Sequence, residues 1–118
     1  MSYKFPPDLR LKSARDFNQV FYRAKKLSAH NFVLLFQTNN LDYPRLGIII
    51  AKRNVAAAAA RNRLRRMIKE SFRLHRYIIK GYDVIFIGYK GINSITKEEL
   101  KRCLEKQWLY LSKHQGKA

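Results

Sequence analysis

Two stretches leave this chain little freedom in how it folds: Leu46-Gly47-Ile48-Ile49-Ile50 and Val84-Ile85-Phe86-Ile87. Both are nearly continuous apolar runs of strand length. A strand with one wet face alternates apolar and polar residues. The first run does not alternate, so it fits a strand covered on both faces. Residues 31–38 are also rich in β-formers: Phe32, Val33, Leu34, Leu35 and Phe36 follow one another. Asn39-Asn40-Leu41-Asp42-Tyr43-Pro44 reads as a turn. The short connection predicts an antiparallel hairpin between strands over 31–38 and 45–52. A third strand is expected over 82–89.

Helices fill much of the remainder. Pro6-Pro7 blocks a helix at the start, so residues 1–12 are expected to be extended. Ser13 caps a helix, with Asp16 as its capping-box partner. Ala14, Phe17, Phe21 and Ala24 then recur at helical spacing over 14–25. A long helix is expected over 57–76. Thr96-Lys97-Glu98-Glu99 opens a last helix, whose apolar stripe is Leu100, Cys103, Leu104, Trp108 and Leu111. Trp108 and Tyr110 are expected to be packing residues. The expected order is α-β-β-α-β-α. This is an α+β fold in a single domain over 1–118, a small mixed β-sheet of three to four strands packed with about three helices. A short extra strand is left open, either near the N-terminus or around residues 52–55.

The 118 residues include 25 Lys and Arg against 8 Asp and Glu, a net charge of +17. Apolar residues make up 47%, enough for a core and too many for a disordered chain. A domain this basic repels itself and implies a polyanionic partner, nucleic acid before a membrane surface. No stretch is long and apolar enough to span a bilayer, and no signal-type run opens the chain, so the cytoplasm is the expected location. The single cysteine, Cys103, forms no internal disulfide and reads as a buried or half-buried thiol. His30, His75 and His114 lack metal-site spacing. The acids are dispersed, Asp8, Asp16 and Asp42 among them, and offer no catalytic cluster.

The charge is concentrated. Nine basic residues and one acid, Glu70, lie in residues 52–76. At about 100° per residue, Leu64, Met67, Ile68, Ser71 and Phe72 share one arc of a helix. Arg61, Arg65, Arg66, Lys69, Arg73 and Arg76 share another; Asn62 lies near its middle and Arg63 apart from it. A solvated helix face normally mixes signs. Here like charges repeat at i, i+4 (Arg61, Arg65, Lys69, Arg73), which costs a few tenths of a kcal/mol per pair without a partner. Arginine forks suit phosphates, and Asn62 can read a base or a ribose hydroxyl.

Arg61-Asn62-Arg63-Leu64-Arg65-Arg66, followed by Ile68, Glu70, Ser71, Phe72 and Arg73, resembles the "RNR" motif of the bacterial ribonuclease P protein. The resemblance extends over nearly the whole chain. Leu9-Arg10-Leu11, Asp16-Phe17 and Val20-Phe21 are similar to that family's first segment. Pro44-Arg45-Leu46-Gly47 and Ala51-Lys52-Arg53-Asn54-Val55 are similar to its second strand and exit. The version in Gram-negative bacteria is the nearest in kind. One departure is plain: residues 56–60 are five alanines, where many relatives place basic, polar or glycine residues. Alanine favours helix and predicts an N-terminal extension of the basic helix.

The resemblance implies a fold like the second domain of ribosomal protein S5, and an accessory protein of a ribozyme. The RNA subunit would remove the 5′ leader of precursor tRNA with Mg²⁺ held mainly by the RNA, and no organic cofactor. The implied partners are one ribonuclease P RNA per protein and precursor tRNA, with no membrane and no obligate protein partner. Arg61, Asn62, Arg63, Arg65, Arg66, Lys69 and Arg73 would contact the catalytic RNA. Phe17 and Phe21 would line a leader-binding cleft between the first helix and the sheet, with Lys52, Arg53 and Lys90 beside it.

The residues alone leave Phe17 and Phe21 open between core packing and base stacking, and Lys90 open between phosphate contact and plain solvation. Arg10, Lys12 and Arg15 add phosphate attraction. Three alternatives stand beside this reading. An RNA-cementing protein of ribosomal type needs no aromatic cleft. A self-sufficient nuclease needs the catalytic cluster that is missing. A helix-based DNA reader lacks a helix-turn-helix before its basic helix.

Overall fold

The computed structural model describes residues 9–114. α1 (Ala14–Arg23) leads into β1 (Lys25–Ser28), β2 (Phe32–Thr38) and β3 (Arg45–Ile50). α2 (Ala58–Leu74), β4 (Tyr82–Gly88), a 3₁₀ turn (Ile92–Ser94) and α3 (Lys97–Lys113) follow. The class is as expected, three helices with a four-stranded mixed sheet, but the order is α-β-β-β-α-β-α. The added strand is β1, at neither of the two places left open. The helix expected over 14–25 stops at Arg23 because Ala24 is extended, at φ −69° and ψ 140°. Lys25 then pairs with Phe36 of β2.

The strand order β1-β2-β4-β3 overturns the hairpin expected between the strands over 31–38 and 45–52. β4 lies between them, antiparallel to β2 and parallel to β3. The actual hairpin is β1–β2. β4 is buried along almost its whole length. The central position covers its Val84, Ile85 and Phe86 on both faces of the sheet. A six-residue connection easily steps over one strand, since two inter-strand spacings span about 10 Å. Asn39 fastens that connection. Its side-chain amide donates to the Tyr43 carbonyl (3.2 Å) and to Asp83 Oδ1 (2.9 Å), and its oxygen accepts from Leu41 N–H (2.9 Å).

Side chains alternate across the sheet and build two layers of core. Phe32, Leu34, Phe36, Leu46, Val84 and Phe86 pack with Leu64, Ile68 and Phe72 of α2 and with Leu100, Leu104 and Leu111 of α3. Trp108 joins the two helices. Its Nε1–H donates to Ser71 Oγ (2.9 Å), and its ring meets Phe72 edge to face at 5.8 Å. Leu35, Ile49, Ile85 and Ile87 face the other way, toward Leu11 and the buried Val20 of α1.

Both expected helix caps form: Ser13 Oγ accepts from Asp16 N–H and Thr96 Oγ1 from Glu99 N–H, each at 3.1 Å. Of the two aromatics expected to pack, Trp108 is core, whereas Tyr110 is exposed and stacks on His114 at 4.1 Å. Cys103 is half-buried. Arg10 bridges in parallel to Leu46, and Leu11 N–H donates to the Leu46 carbonyl (3.0 Å), so the lead-in lies along β3. Pro6, Pro7, Asp8 and residues 115–118 lie outside the described residues.

Candidate nucleic-acid interface

α2 buries Ala60, Leu64, Ile68, Ser71 and Phe72, spaced at three and four residues, and so turns one face to the sheet and α3. Asn62 and Arg66 stand on the opposite crest, both exposed. The cations divide between two flanks. Arg61, Arg65 and Lys69 lie half-buried on one side. Arg63 lies on the other and reaches Asn93, Nη2 to Oδ1 at 3.3 Å. Arg61 also braces the entry loop, its Nη1 donating to the Val55 (2.9 Å) and Ala56 (2.8 Å) carbonyls. The helix N-terminus itself has no side-chain cap, because Ala57 offers no acceptor. Of the alanine run, Ala58, Ala59 and Ala60 join the helix and Ala56 and Ala57 stay in the loop.

Arg73 is placed differently from its neighbours. It is 8% exposed and bonds Glu70 through both Nη2 (2.5 Å) and Nε (3.3 Å). The only acid of this stretch is thereby occupied, and Arg73 is withdrawn from the open arc. Lys69 shows the consequence for the rest. Partial burial, then Arg10, then Arg65 push its pKa below the ordinary value. An ammonium held among cations gains when an anion arrives.

The second group of candidates surrounds α1. The Phe17 ring reaches over Gly47 of β3, and a Cβ there would stand 2.5 Å from its Cε1 and Cζ. One flank of α1 is fixed by charge: Asp16 faces Arg45 at 3.7 Å, and Arg45 grips the buried Asp83 with Nε (2.8 Å) and Nη2 (2.7 Å). Phe17 and Phe21, one helical turn apart, project from the opposite flank. Phe17 is half-buried and Phe21 is 45% exposed. Beyond them the sheet offers the half-buried Leu35, Ile49 and Ile87 as a floor.

Lys52, Arg53 and Lys90 meet at one end of that floor. β3 and β4 are parallel, so they end side by side, Ile50 opposite Gly88. Asn54 ties the two exits, Nδ2 donating to the Gly88 carbonyl at 3.2 Å. All three cations are exposed. After Lys90 the chain turns at Gly91, whose φ of 95° is strained for any other residue. The parallel pairing that defeats the expected hairpin is what brings residues 52–53 and 90 together.

Two contributors were not read from the sequence. The Arg45–Asp83–Asn39 network carried a faint signal, an acid inside an otherwise apolar strand. The approach of Arg10 to Lys69 carried none beyond its charge, since the two are far apart in sequence. Among the described residues, no three His, Cys, Asp or Glu side chains gather to hold a metal ion. No described helix is long and apolar enough to cross a membrane.

A family model, Ribonuclease P, matches residues 5–112. The chain belongs to the ribonuclease P protein family. It is similar to the ribonuclease P protein component of Nitrosococcus oceani, 38% identical over 105 residues, covering 89% of this chain and 88% of that one. Its structure is similar to a Staphylococcus aureus RNase P protein mutant with defective mRNA degradation activity. That TM-score is 0.80, at 28% identity, with 90% of this chain and 89% of that chain covered. The Thermotoga maritima RNase P protein gives a TM-score of 0.74 at 33% identity, covering 91% of this chain and 98% of that one. As a ribonuclease P protein component, the chain is an RNA-associated part of a tRNA-processing endoribonuclease.

Proposed function

We propose that this ribonuclease P protein binds the catalytic RNA through α2 and the 5′ leader of precursor tRNA through the cleft beside α1. It thereby assists Mg²⁺-dependent endonucleolytic removal of the leader. The observation that carries this reading is the presence of two unlike surfaces. One is an arginine-rich helix whose only acid is occupied by Arg73. The other is an aromatic-walled trough with cations at its far end. The first suits the phosphates of a folded RNA. The second suits a single strand, whose bases stack on Phe17 and Phe21 with little sequence preference while Lys52, Arg53 and Lys90 attract its backbone.

Arg61, Asn62, Arg63, Arg65, Arg66 and Lys69 are the catalytic-RNA contacts in this reading. Arg73, by its burial, supports the helix that presents them. The chemistry belongs to the RNA, which supplies the Mg²⁺ sites; the described protein residues assemble no donor set for one. A single copy per RNA in the cytoplasm, without a further protein partner, completes the proposal.

The test is cleavage of precursor tRNA by purified ribonuclease P RNA at low Mg²⁺, with and without the protein. Enhanced cleavage that depends on a 5′ leader supports the proposal. RNA binding without enhancement would leave a structural RNA-cementing protein instead, and hydrolysis by the protein alone would make it a nuclease.

A further inference from the structure

We infer that the groove between α2 and α3 is an additional RNA contact, taking the sugar-phosphate backbone of the same RNA that meets the crest of α2. This rests on the proposed RNA-binding role of α2 and extends it to a helix that the RNR resemblance does not include.

The two helices run side by side in the same direction, with Arg63 against Asn93 at one end and Ser71 against Trp108 further along. Between them lies an open groove of about 600 Å³ over Met67, Leu100 and Leu104. A second hollow of about 360 Å³ continues it past Asn93, sharing Arg63, Met67 and Lys97. Arg63 and Arg66 form one rim, Lys97 and Lys101 the other. Lys97 and Lys101 are exposed and one turn apart, about 6 Å along the axis. That separation resembles the step between successive phosphates of a strand.

Charge decides the occupant. Among the described residues, none of these four cations is in an ion pair. Of the two acids at the groove, Glu70 is held by Arg73, and Glu105 stands one turn past Lys101, where the lysine rim ends. Arg66 stands at the boundary between crest and groove, so a polyanion on the crest is continuous with one in the groove. An isolated pair of lysines is normally a solvated surface. Two cations on each of two facing helices, with an apolar floor that carries no charge, form a channel that a backbone can follow.

The experiment compares two variants matched in charge. Lys97→Ala with Lys101→Ala clears the α3 rim. Arg102→Ala with Lys106→Ala removes two exposed cations from the far side of the same helix, outside the groove. Binding to ribonuclease P RNA is measured across a salt series. The rim variant is expected to flatten the slope of log K against log[salt] by about 1.4–1.8 and to weaken binding about tenfold, while the far-side variant stays near wild type. Equal losses in both, or no loss in the rim variant, would overturn the inference while leaving the crest contact intact. Failure of the wild-type protein to bind would sink the proposed function first. A second readout needs no variant: RNA should protect Lys97 and Lys101, but not Lys106, from amine methylation in the wild-type complex. Unprotected Lys97 and Lys101 would overturn the inference on their own.

Discussion

The ring of Phe17 occupies the space that a side chain at Gly47 would need. α1 therefore sits directly on the backbone of β3, and the depth of the cleft beside it depends on the absence of one methyl group.

Gly47→Ala is expected to push Phe17 off β3 and tilt α1. Overpacking of this kind costs about 1–3 kcal/mol. Denaturant unfolding should show the loss, and affinity for leader-bearing precursor should fall more than affinity for mature tRNA. A variant of unchanged stability and unchanged preference would show that the ring moves freely.

Phe21→Ala tests the cleft with less disturbance to the fold, since Phe21 is nearly half exposed. Stability should fall by about 1 kcal/mol, for a side chain just over half buried. Loss of one base stack is worth about 1–3 kcal/mol, so binding of leader-bearing precursor should weaken by at least about fivefold. Equal weakening for mature tRNA would remove Phe21 from leader recognition.

Arg65→Ala with Arg66→Ala should flatten the salt dependence of RNA binding by about 1.4–1.8 while leaving the melting temperature near wild type. Arg73→Ala should do the reverse. Its buried guanidinium is bonded to Glu70, and its removal should destabilise the fold by about 1–2 kcal/mol with little change in salt slope. Identical behaviour of the two variants would contradict the withdrawal of Arg73 from the open face.

Lys69 links pH to stability with a definite sign. Its folded pKa lies below the ordinary 10.5, through partial burial and then the Arg10 and Arg65 charges. Protonated Lys69 therefore opposes folding. The penalty is complete below the folded pKa and disappears as pH rises toward 10.5. Lys69→Gln should stabilise the free protein at pH 7 by a few tenths of a kcal/mol, the scale of a like-charge contact on a helix. The advantage should shrink near pH 10, and RNA affinity should fall. Thermal melts of both proteins at the two pH values, beside RNA titrations, check this.

Asp83→Ala should be the most damaging of these changes. It strips Arg45 of both hydrogen bonds and Asn39 of one, in a part of the sheet where Asp83 is almost fully buried. Breaking a buried pair costs about 3–5 kcal/mol, and the partial exposure of Arg45 lowers that to about 2–4 kcal/mol. A loss under 1 kcal/mol in urea unfolding would show that water replaces the network.

What was legible in the sequence was local. The caps at Ser13 and Thr96, the apolar stripe of α3 and the strand character of the two isoleucine-rich runs follow from spacing and side-chain type alone. The same holds for the basic crest of α2, because a helix fixes which residues share a face. Arg73 escaped this reasoning. Its angle on the helix groups it with Arg66, and only the chain packed around it makes that position buried.

Pairing was not legible. The short turn at residues 39–44 argues for a hairpin, yet hydrogen-bond partners are chosen by the whole sheet, and burying β4 on both sides outweighs the convenience of a near neighbour. β1 was hidden because Lys25-Lys26-Leu27-Ser28 has no strand pattern of its own; it is a strand because the edge of β2 is there to receive it.

The chain alone thus determined its charge, its helix faces and the residue types able to meet an RNA, since these depend on neighbours a few positions away. The cleft was decided only in three dimensions. Parallel pairing of β3 with β4 joins Lys52 and Arg53 to Lys90, and the bare backbone at Gly47 seats Phe17. Both depend on contacts between residues some thirty or more positions apart, whose free energy exists only when the core closes over them.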